Sequence, residues 1–378
     1  MKILVIGRGV PEPSNRMLGS FELEQAEALS KAGNEVIYAG ISVRSGKNNK
    51  KLWFWNGTKN GIPVYSFNFP LGRAFSYSAT DRIFEYAFSK MIRKIEKKYG
   101  LPDVIHVHYP AQRPFRCFNE LKKRGVKIVA TEHWTKVQDK SINPTCMKNL
   151  TDFCREADAF ICVSSALKQS VDDLVGGQNR IYVVPNLVTH SFTANRESHE
   201  GFRFVVSGRL VPVKQVDKVI EAFIHVFDRK ENVSLTIAGA GEEYSNLQDI
   251  IRSSERENQI TLLGSVDRNK MAEVISASDV LVTYSRLETF CVPVIEAWMS
   301  GIPVIASNNI PVMIDNKDEK LGICVDSKWI ETLEKALVKM RETRDEYDPD
   351  YIQQYALNKF SERAIVSRLM EIYKSIGT

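Results

Sequence analysis

With 378 residues, 43% of them hydrophobic, and 51 Lys+Arg against 46 Asp+Glu, the chain is too long for one ordinary core and suits two domains of roughly 150 to 200 residues each. Low-complexity tracts and apolar runs of about 18 residues do not occur, which argues against long disorder and membrane-spanning helices. The net charge of +5 is unevenly spread, +11 over residues 1–195 and −6 over the rest, so the first half suits an anionic membrane surface, nucleic acid or a phosphorylated substrate, or is a solvated lysine face. The six cysteines show no Cys-x-x-Cys spacing and read as reduced thiols. With no signal peptide visible, a cytoplasmic chain is expected.

In chain order, "MKILVIGRG" reads as a buried strand ending in glycines, "FELEQAEALSKAG" as a helix stopped at Gly33, and "NEVIYAG" as a second strand, together a βαβ unit. The segments "PDVIHVHY", "VKIVATEHW", "ADAFICVSSA" and "RIYVVPN" continue the parallel sheet of an α/β domain over residues 1–195. The polar, apolar-poor "HSFTANRESHEG" reads as a linker. A second alternating series follows to residue 358: "FRFVVSGRL", "VDKVIEAFIHVF", "VSLTIAGAG", "YSNLQDIIRSS", "QITLLGSV", "NKMAEVISAS", "DVLVTYS" and "IPVIAS". The last segment, 359–378, reads as an amphipathic helix.

The segment "SRLETFCVPVIEAWMSGIPVIAS" sets Glu288 and Glu296 eight positions apart around Pro293. On one helix, eight residues would turn them roughly 80° apart. Proline instead suits a helix start near 292, with Gly301 as its end, so Glu288 falls on the preceding loop and Glu296 in the first turns. Together they bracket a helix N-terminus, where free N–H groups favour a phosphate. Arg209 and Lys214, five apart on a strand-to-helix loop, suit a diphosphate or are an exposed charged loop. "AGAGEEY", with Gly241, offers a close backbone approach to a nucleotide or is a tight turn. The "GRG" at Gly7–Gly9 lacks the rest of a dinucleotide fingerprint. His106 and His108 share a strand face as a metal pair would, without a third ligand at a supporting spacing. His133, at a strand end, suits a structural role or a site. Asp348 reads as a helix cap. Residues 44–55, "RSGKNNKKLWFW", set Arg44, Lys47, Lys50 and Lys51 before Trp53, Phe54 and Trp55, a pattern suited to an anionic bilayer or to a loop whose aromatics enter the core.

Residues 207–307 together resemble retaining nucleotide-sugar glycosyltransferases of the GT-B type, in the group with two glutamates separated by seven residues (glycosyltransferase group 1, family 4). "GRLVPVKQVDKVIEAF", "LTIAGAGEEY" and "MSGIPVIAS" carry the likeness. In the first half it is looser, resting on a loop ending at Gly19, "AGNEV", "DVIHVHY", "TEHW" and "VVPN". The resemblance implies an α/β GT-B fold, two Rossmann-like parallel-sheet domains facing a cleft, with the last helix crossing back to the first domain. It further implies that Arg209, Lys214 and the N–H groups around Thr289, Phe290, Cys291 and Val292 hold a diphosphate, and that Glu296 binds the ribose. Glu288 and His133 would contact the donor sugar, and Gly19 would let its loop approach the phosphates. The family usually reads Glu-Gly-Phe-Gly where this chain has Glu288-Thr289-Phe290-Cys291. A cysteine at a helix start suits either a lowered pKa or a packed inert thiol.

The resulting expectation is a metal-independent transferase that needs no cofactor. It moves a sugar from a nucleoside-diphosphate sugar to a glycan or lipid-linked acceptor in surface polysaccharide assembly, without nucleic acid. An anionic membrane surface is a candidate partner. A nucleotide-sugar epimerase and a catalytically silent nucleotide-sugar-binding subunit are the competing classes.

Overall fold

The computed structural model describes residues 1–11, 18–43, 53–69, 76–177, 181–188, 192 and 199–377. Two compact units form, one of Met1–Leu187 with Glu362–Thr378, the other of Val188–Ser361. The first break comes at 187/188, against 195/196 read from the sequence, and the return comes at 361/362, against 358/359. Both lie side by side: the Val188 N–H donates to the Phe360 carbonyl at 3.1 Å, and Val188 bridges Ser361.

The first unit runs β1 (Lys2–Gly7), α1 (Ser20–Lys31), β2 (Glu35–Ser42), β3 (Trp53–Lys59), β4 (Ile62–Asn68), α2 (Tyr77–Tyr99), β5 (Val104–His108), α3 (Asn119–Lys123), β6 (Lys127–Glu132), α4 (Thr135–Gln138), α5 (Pro144–Glu156), β7 (Ala159–Cys162), α6 (Ser165–Val175) and β8 (Ile181–Val183). The strand order is β3-β4-β2-β1-β5-β6-β7-β8, parallel except for β3 against β4. The inner strands are near-continuous Val/Ile runs because helices cover both faces of such a sheet. Side-chain caps fix helix starts: Ser76 accepts from Ala79 N–H, Asn143 from Cys146 N–H, and Ser164 from Leu167 N–H.

The second unit runs β9 (Phe202–Ser207), α7 (Val216–Val226), β10 (Val233–Ala238), α8 (Tyr244–Ser253), β11 (Ile260–Gly264), α9 (Arg268–Ser276), β12 (Val280–Thr283), α10 (Val292–Met299), β13 (Val304–Ser307), α11 (Pro311–Ile314), β14 (Gly322–Val325), α12 (Ile330–Thr343) and α13 (Pro349–Phe360). Its sheet is wholly parallel, ordered β11-β10-β9-β12-β13-β14. The final helix α14 (Glu362–Ser375) returns to the first unit, burying Ile365, Leu369 and Tyr373 in a core shared with α1 and β1.

Two features depart from the sequence reading, and one between them bears it out. The terminal helix starts at Glu362 and not at 359, since Ser361 is extended (φ −62°, ψ 158°) and ends α13. Asp348 caps α13 by accepting from the Asp350 N–H, as its residue type suggests. Residues 44–52 lie outside the described residues, but Phe54 and Trp55 do not enter the core and 53–59 are not a loop. They form an edge strand turned back at Asn60-Gly61, where positive φ at both positions (49° and 81°) is what a tight hairpin turn needs. Phe54 and Trp55 remain 38% and 37% exposed on it. No helix among the described residues is long and apolar enough to cross a membrane.

Candidate active site

In each unit the strand order reverses beside the first strand, between β1 and β5 and between β9 and β12. Loops leaving the carboxyl ends of the two strands there diverge to opposite sides and open a crevice, the usual ligand position in an open α/β sheet.

In the second unit this reversal brings together loops 74 residues apart in sequence. Lys214, at the end of the β9–α7 loop, forms an ion pair with Glu288 on the β12–α10 loop. The Ser285 hydroxyl donates to Glu288 Oε1 at 3.0 Å, and Arg286 N–H donates to the Val213 carbonyl at 2.9 Å, so backbone and side chains fix the two loops together. The β10–α8 loop packs against the same place. A Cβ at Gly241 would lie 1.9 Å from the Leu210 carbonyl oxygen, and one at Gly239 1.8 Å from that of Gly208. Only hydrogen fits at these contacts, and Leu210 N–H in turn donates to Ala240 O at 3.0 Å. Arg209 lies exposed on the first loop.

Glu288 sits on the loop and Glu296 in the second turn of α10, as Pro293 in the first turn implies. Cys291 caps α10 with φ 83° and ψ 74°, a left-handed conformation in which glycine has no steric penalty. Its thiol is buried, 3.8 Å from Thr283 Oγ1, and burial pushes its pKa up to about 12. The activated-thiol reading of this cysteine therefore fails, because burial outweighs the helix N-terminus. Phe290 turns its ring into the core beside Phe360, and Thr289 and Val292 are half-buried on the turn into the helix.

In the first unit, Arg8, directly after β1, lies against Tyr109, directly after β5. Arg8 Nε donates to Glu22 Oε1 at 3.0 Å, and its guanidinium lies 3.8 Å from the Tyr109 ring centroid. Glu22 is 1% exposed on the core face of α1, and Arg8 holds its carboxyl down to about 2 against the cost of burial. The Tyr38 hydroxyl donates to Gly9 O at 2.7 Å. Gly19 caps α1 at φ 76°, and the space left by its missing side chain is filled by the Gly9 carbonyl, 2.1 Å from where a Cβ would sit.

His106 and His108 do share a face, their rings stacked 4.7 Å apart, but their nitrogens are engaged with protein groups. Gln25 Nε2 faces both His106 Nδ1 and His108 Nε2 at 3.3 Å, so both accept. His106 Nε2 lies 2.6 Å from Thr131 Oγ1 and its Nδ1 2.6 Å from the Tyr373 hydroxyl. His108 keeps its proton on Nδ1 and donates to His133 Nε2 at 2.9 Å. His133 stacks on Tyr109 at 4.9 Å and hydrogen-bonds the Asn186 side chain. Among the described residues no group of three or more His, Cys, Asp or Glu could hold a metal ion. Glu132, fully buried, accepts from the N–H groups of His133, Trp134 and Ala111 at 2.8, 2.9 and 3.1 Å and so sets the turn that carries His133.

These buried groups set an acid limit on stability. Burial lowers the pKa of His106, His108 and His133, that of His108 from 6.5 to about 3. Below pH 6.5 the unfolded chain therefore binds protons that the folded chain refuses, and stability is lost as pH falls. Glu132 opposes this, since burial raises its pKa from 4.5 to about 7 and stability from it is lost as pH rises through that range. Three imidazoles against one carboxyl predict a melting temperature several degrees lower at pH 5 than at pH 7, read by calorimetry. A flat profile would mean that the imidazoles are charged in the folded state.

The sequence reading singled out Glu288, Glu296, Lys214 and Arg209 as candidates and gave no role to Arg8, Glu22, Gln25 or Glu132. The one available signal was Glu22, a charge at helical spacing with Ala26 and Leu29 on an otherwise apolar face.

Solved structures that share this fold include glycosyltransferases of the GT-B fold. Sucrose-phosphate synthase from Thermosynechococcus elongatus aligns with a TM-score of 0.81 at 17% identity, covering 100% of this chain and 99% of that one. Anabaena HepE in complex with UDP aligns at 0.75 and 16%, covering 99% and 100%. The chain belongs to the group 1/family 4 glycosyltransferases: the model described as "Glycosyl transferases group 1" matches residues 189–357 and that described as "Glycosyltransferase Family 4" matches residues 21–192. Among relatives, N-acetyl-alpha-D-glucosaminyl L-malate synthase of Bacillus anthracis is 24% identical over 81% of this chain and 80% of its own length. The GPI3 subunit of phosphatidylinositol N-acetylglucosaminyltransferase from Saccharomyces cerevisiae is 27% identical over 51% of this chain and 45% of its own length.

Proposed function

We propose that this glycosyltransferase moves a sugar from a nucleoside-diphosphate sugar to a glycan or lipid-linked acceptor, with retention of anomeric configuration and without a metal ion, in surface polysaccharide synthesis at an anionic membrane surface. The observation that carries the reading is the Lys214–Glu288 pair at the strand-order reversal of the second unit, beside the α10 N-terminus and the glycine-lined β10–α8 loop. A cation, helix N–H groups and close backbone are what a diphosphate leaving group needs, and stabilising its growing charge is the main catalytic contribution expected of such a site. On this reading Arg209 and Lys214 hold the diphosphate with the N–H groups of Thr289 to Val292. Glu296 receives the ribose hydroxyls, and Glu288 and His133 orient the sugar. The buried, uncharged histidine chain makes His133 a neutral hydrogen-bonding group and not a proton donor of ordinary imidazolium acidity.

The test is a thermal-shift panel of nucleoside diphosphates and their sugars, followed by turnover with and without acceptor in the presence of EDTA. Ligands that bind the folded state alone should raise the melting temperature, and diphosphate release should require acceptor and survive chelation. Loss of activity on chelation with recovery in magnesium or manganese would sink the metal-free mechanism. Conversion of the donor sugar without acceptor would instead identify an epimerase.

A further inference from the structure

On the first unit, a groove of about 620 Å³ runs between the β3–β4 hairpin and α2. Its sheet side is aromatic: Phe54 stands opposite Phe67 in the hairpin register, and Phe67 stacks on Phe69 with centroids 6.3 Å apart. Its helix side presents Ile83 and Tyr86, the latter 56% exposed. Cations edge it, Arg82, Lys90 and Lys94, and among the described residues no acidic side chain lines it. Lys94 Nζ lies 4.2 Å from the Phe54 ring centroid and Lys90 Nζ 4.8 Å from that of Tyr86, so the ammonium groups stand at the lip over the aromatic faces.

The charge extends along the helix. Arg82, Tyr86, Lys90, Lys94 and Lys97 recur at three- and four-residue spacing and are all exposed, with Arg93 beside them. The acids of α2 do not offset this stripe, for Asp81 is buried and accepts from Asn149 Nδ2, Glu85 is held by Arg116 and Glu96 by Arg124. Among the described residues Arg82, Lys90, Arg93, Lys94 and Lys97 have no ion-pair partner, so the face combines uncompensated positive charge with an open aromatic trough.

We propose that this groove seats a hydrocarbon chain of an anionic membrane lipid, whose phosphate is held by Arg82, Lys90 and Lys94. Charge complementarity selects the occupant. A soluble phosphate would leave the aromatic trough in water, and a neutral lipid would leave the cations unanswered. An anionic lipid satisfies both, with its chain in the trough and its headgroup at the lip. This deepens the membrane contact proposed above by locating it, and it does not depend on the donor site of the second unit.

The test is flotation of the full chain with vesicles of phosphatidylcholine alone or with added phosphatidylglycerol. Wild type should float with the anionic vesicles only, and less as salt rises. Each cation near a charged surface is worth about fivefold in partition, so Lys90→Glu/Lys94→Glu should reduce binding by well over tenfold. Lys328→Glu/Lys335→Glu, the same charge change on the second unit, should not. Phe54→Ser/Tyr86→Ser keeps every cation and should also detach the protein. Survival of flotation in that variant would reduce the surface to non-specific electrostatic adhesion and overturn the groove. Wild type that ignores anionic vesicles overturns the proposal outright, whether a soluble anion or an acidic protein is the true occupant. Thermal shift by a nucleoside diphosphate, run on every variant, separates loss of docking from misfolding and from failure of the donor reading.

Discussion

Glu288→Gln is expected to lower turnover by about 10²- to 10³-fold, the loss typical of removing one preorganised polar contact to a transition state, while leaving affinity for a bare nucleoside diphosphate intact or tighter. The sign follows from the ion pair. The Glu288 carboxylate is paired with Lys214, and a diphosphate must compete for that ammonium group. Glutamine keeps the shape and the Ser285 contact but surrenders the charge, so Lys214 becomes available to the phosphates. On the proposed reading Glu296→Ala should behave oppositely, weakening diphosphate binding because the ribose would lose its acceptor. Calorimetric titration of both variants with a nucleoside diphosphate, together with turnover under saturating donor, distinguishes the roles. Equal losses of diphosphate affinity in the two would refute the assignment of one carboxylate to sugar and the other to ribose.

Much of this half of the site was legible because its signals are local. Pro293 in the first turn divides the two glutamates between loop and helix, and the loop carrying Arg209 and Lys214 follows a strand that any periodicity test finds. The contact between Lys214 and Glu288 was not legible, since it depends on β9 and β12 becoming neighbours where strand order reverses. The first-unit cluster was hidden for the same reason: Gln25, His106, His108, His133 and Tyr373 come from α1, β5, the end of β6 and α14. The histidine pair gave a correct face and an incomplete chemistry, because its partners are distant in sequence. The β3–β4 hairpin, by contrast, had a short-range mark in Asn60-Gly61 that outweighs the basic run before it. Cys291 shows how a family difference becomes physical. Where the resemblance would place a glycine the backbone has positive φ, and cysteine occupies it with its thiol turned into the core.

Arg8→Met should destabilise the first unit by about 3 to 5 kcal/mol near neutral pH, the usual consequence of removing one partner of a buried pair. Glu22 is almost wholly buried, its Oε2 has no hydrogen-bond partner among the described residues, and its Oε1 depends on the Arg8 side chain and N–H. Without the guanidinium the carboxylate must stay ionised at high cost or take up a proton, so its pKa should move from about 2 to above the ordinary 4.5. The folded variant then binds more protons than its unfolded chain over the interval above 4.5, and its stability from this group falls as pH rises. The gap between wild type and Arg8→Met should therefore narrow from pH 7.5 to pH 5, even though the buried histidines weaken both proteins as the solution becomes more acidic. Arg8→Met/Glu22→Leu removes both charges and should recover most of the loss, since a paired apolar replacement leaves nothing unsolvated. For a unit of this size the single variant should melt about 10 °C lower, at roughly 2 to 4 °C per kcal/mol. Calorimetric melts of the three proteins at both pH values decide the matter: a gap that is constant with pH, or a double variant no more stable than the single, would show that Arg8 supports the fold through packing against Tyr109 and not through the charge of Glu22.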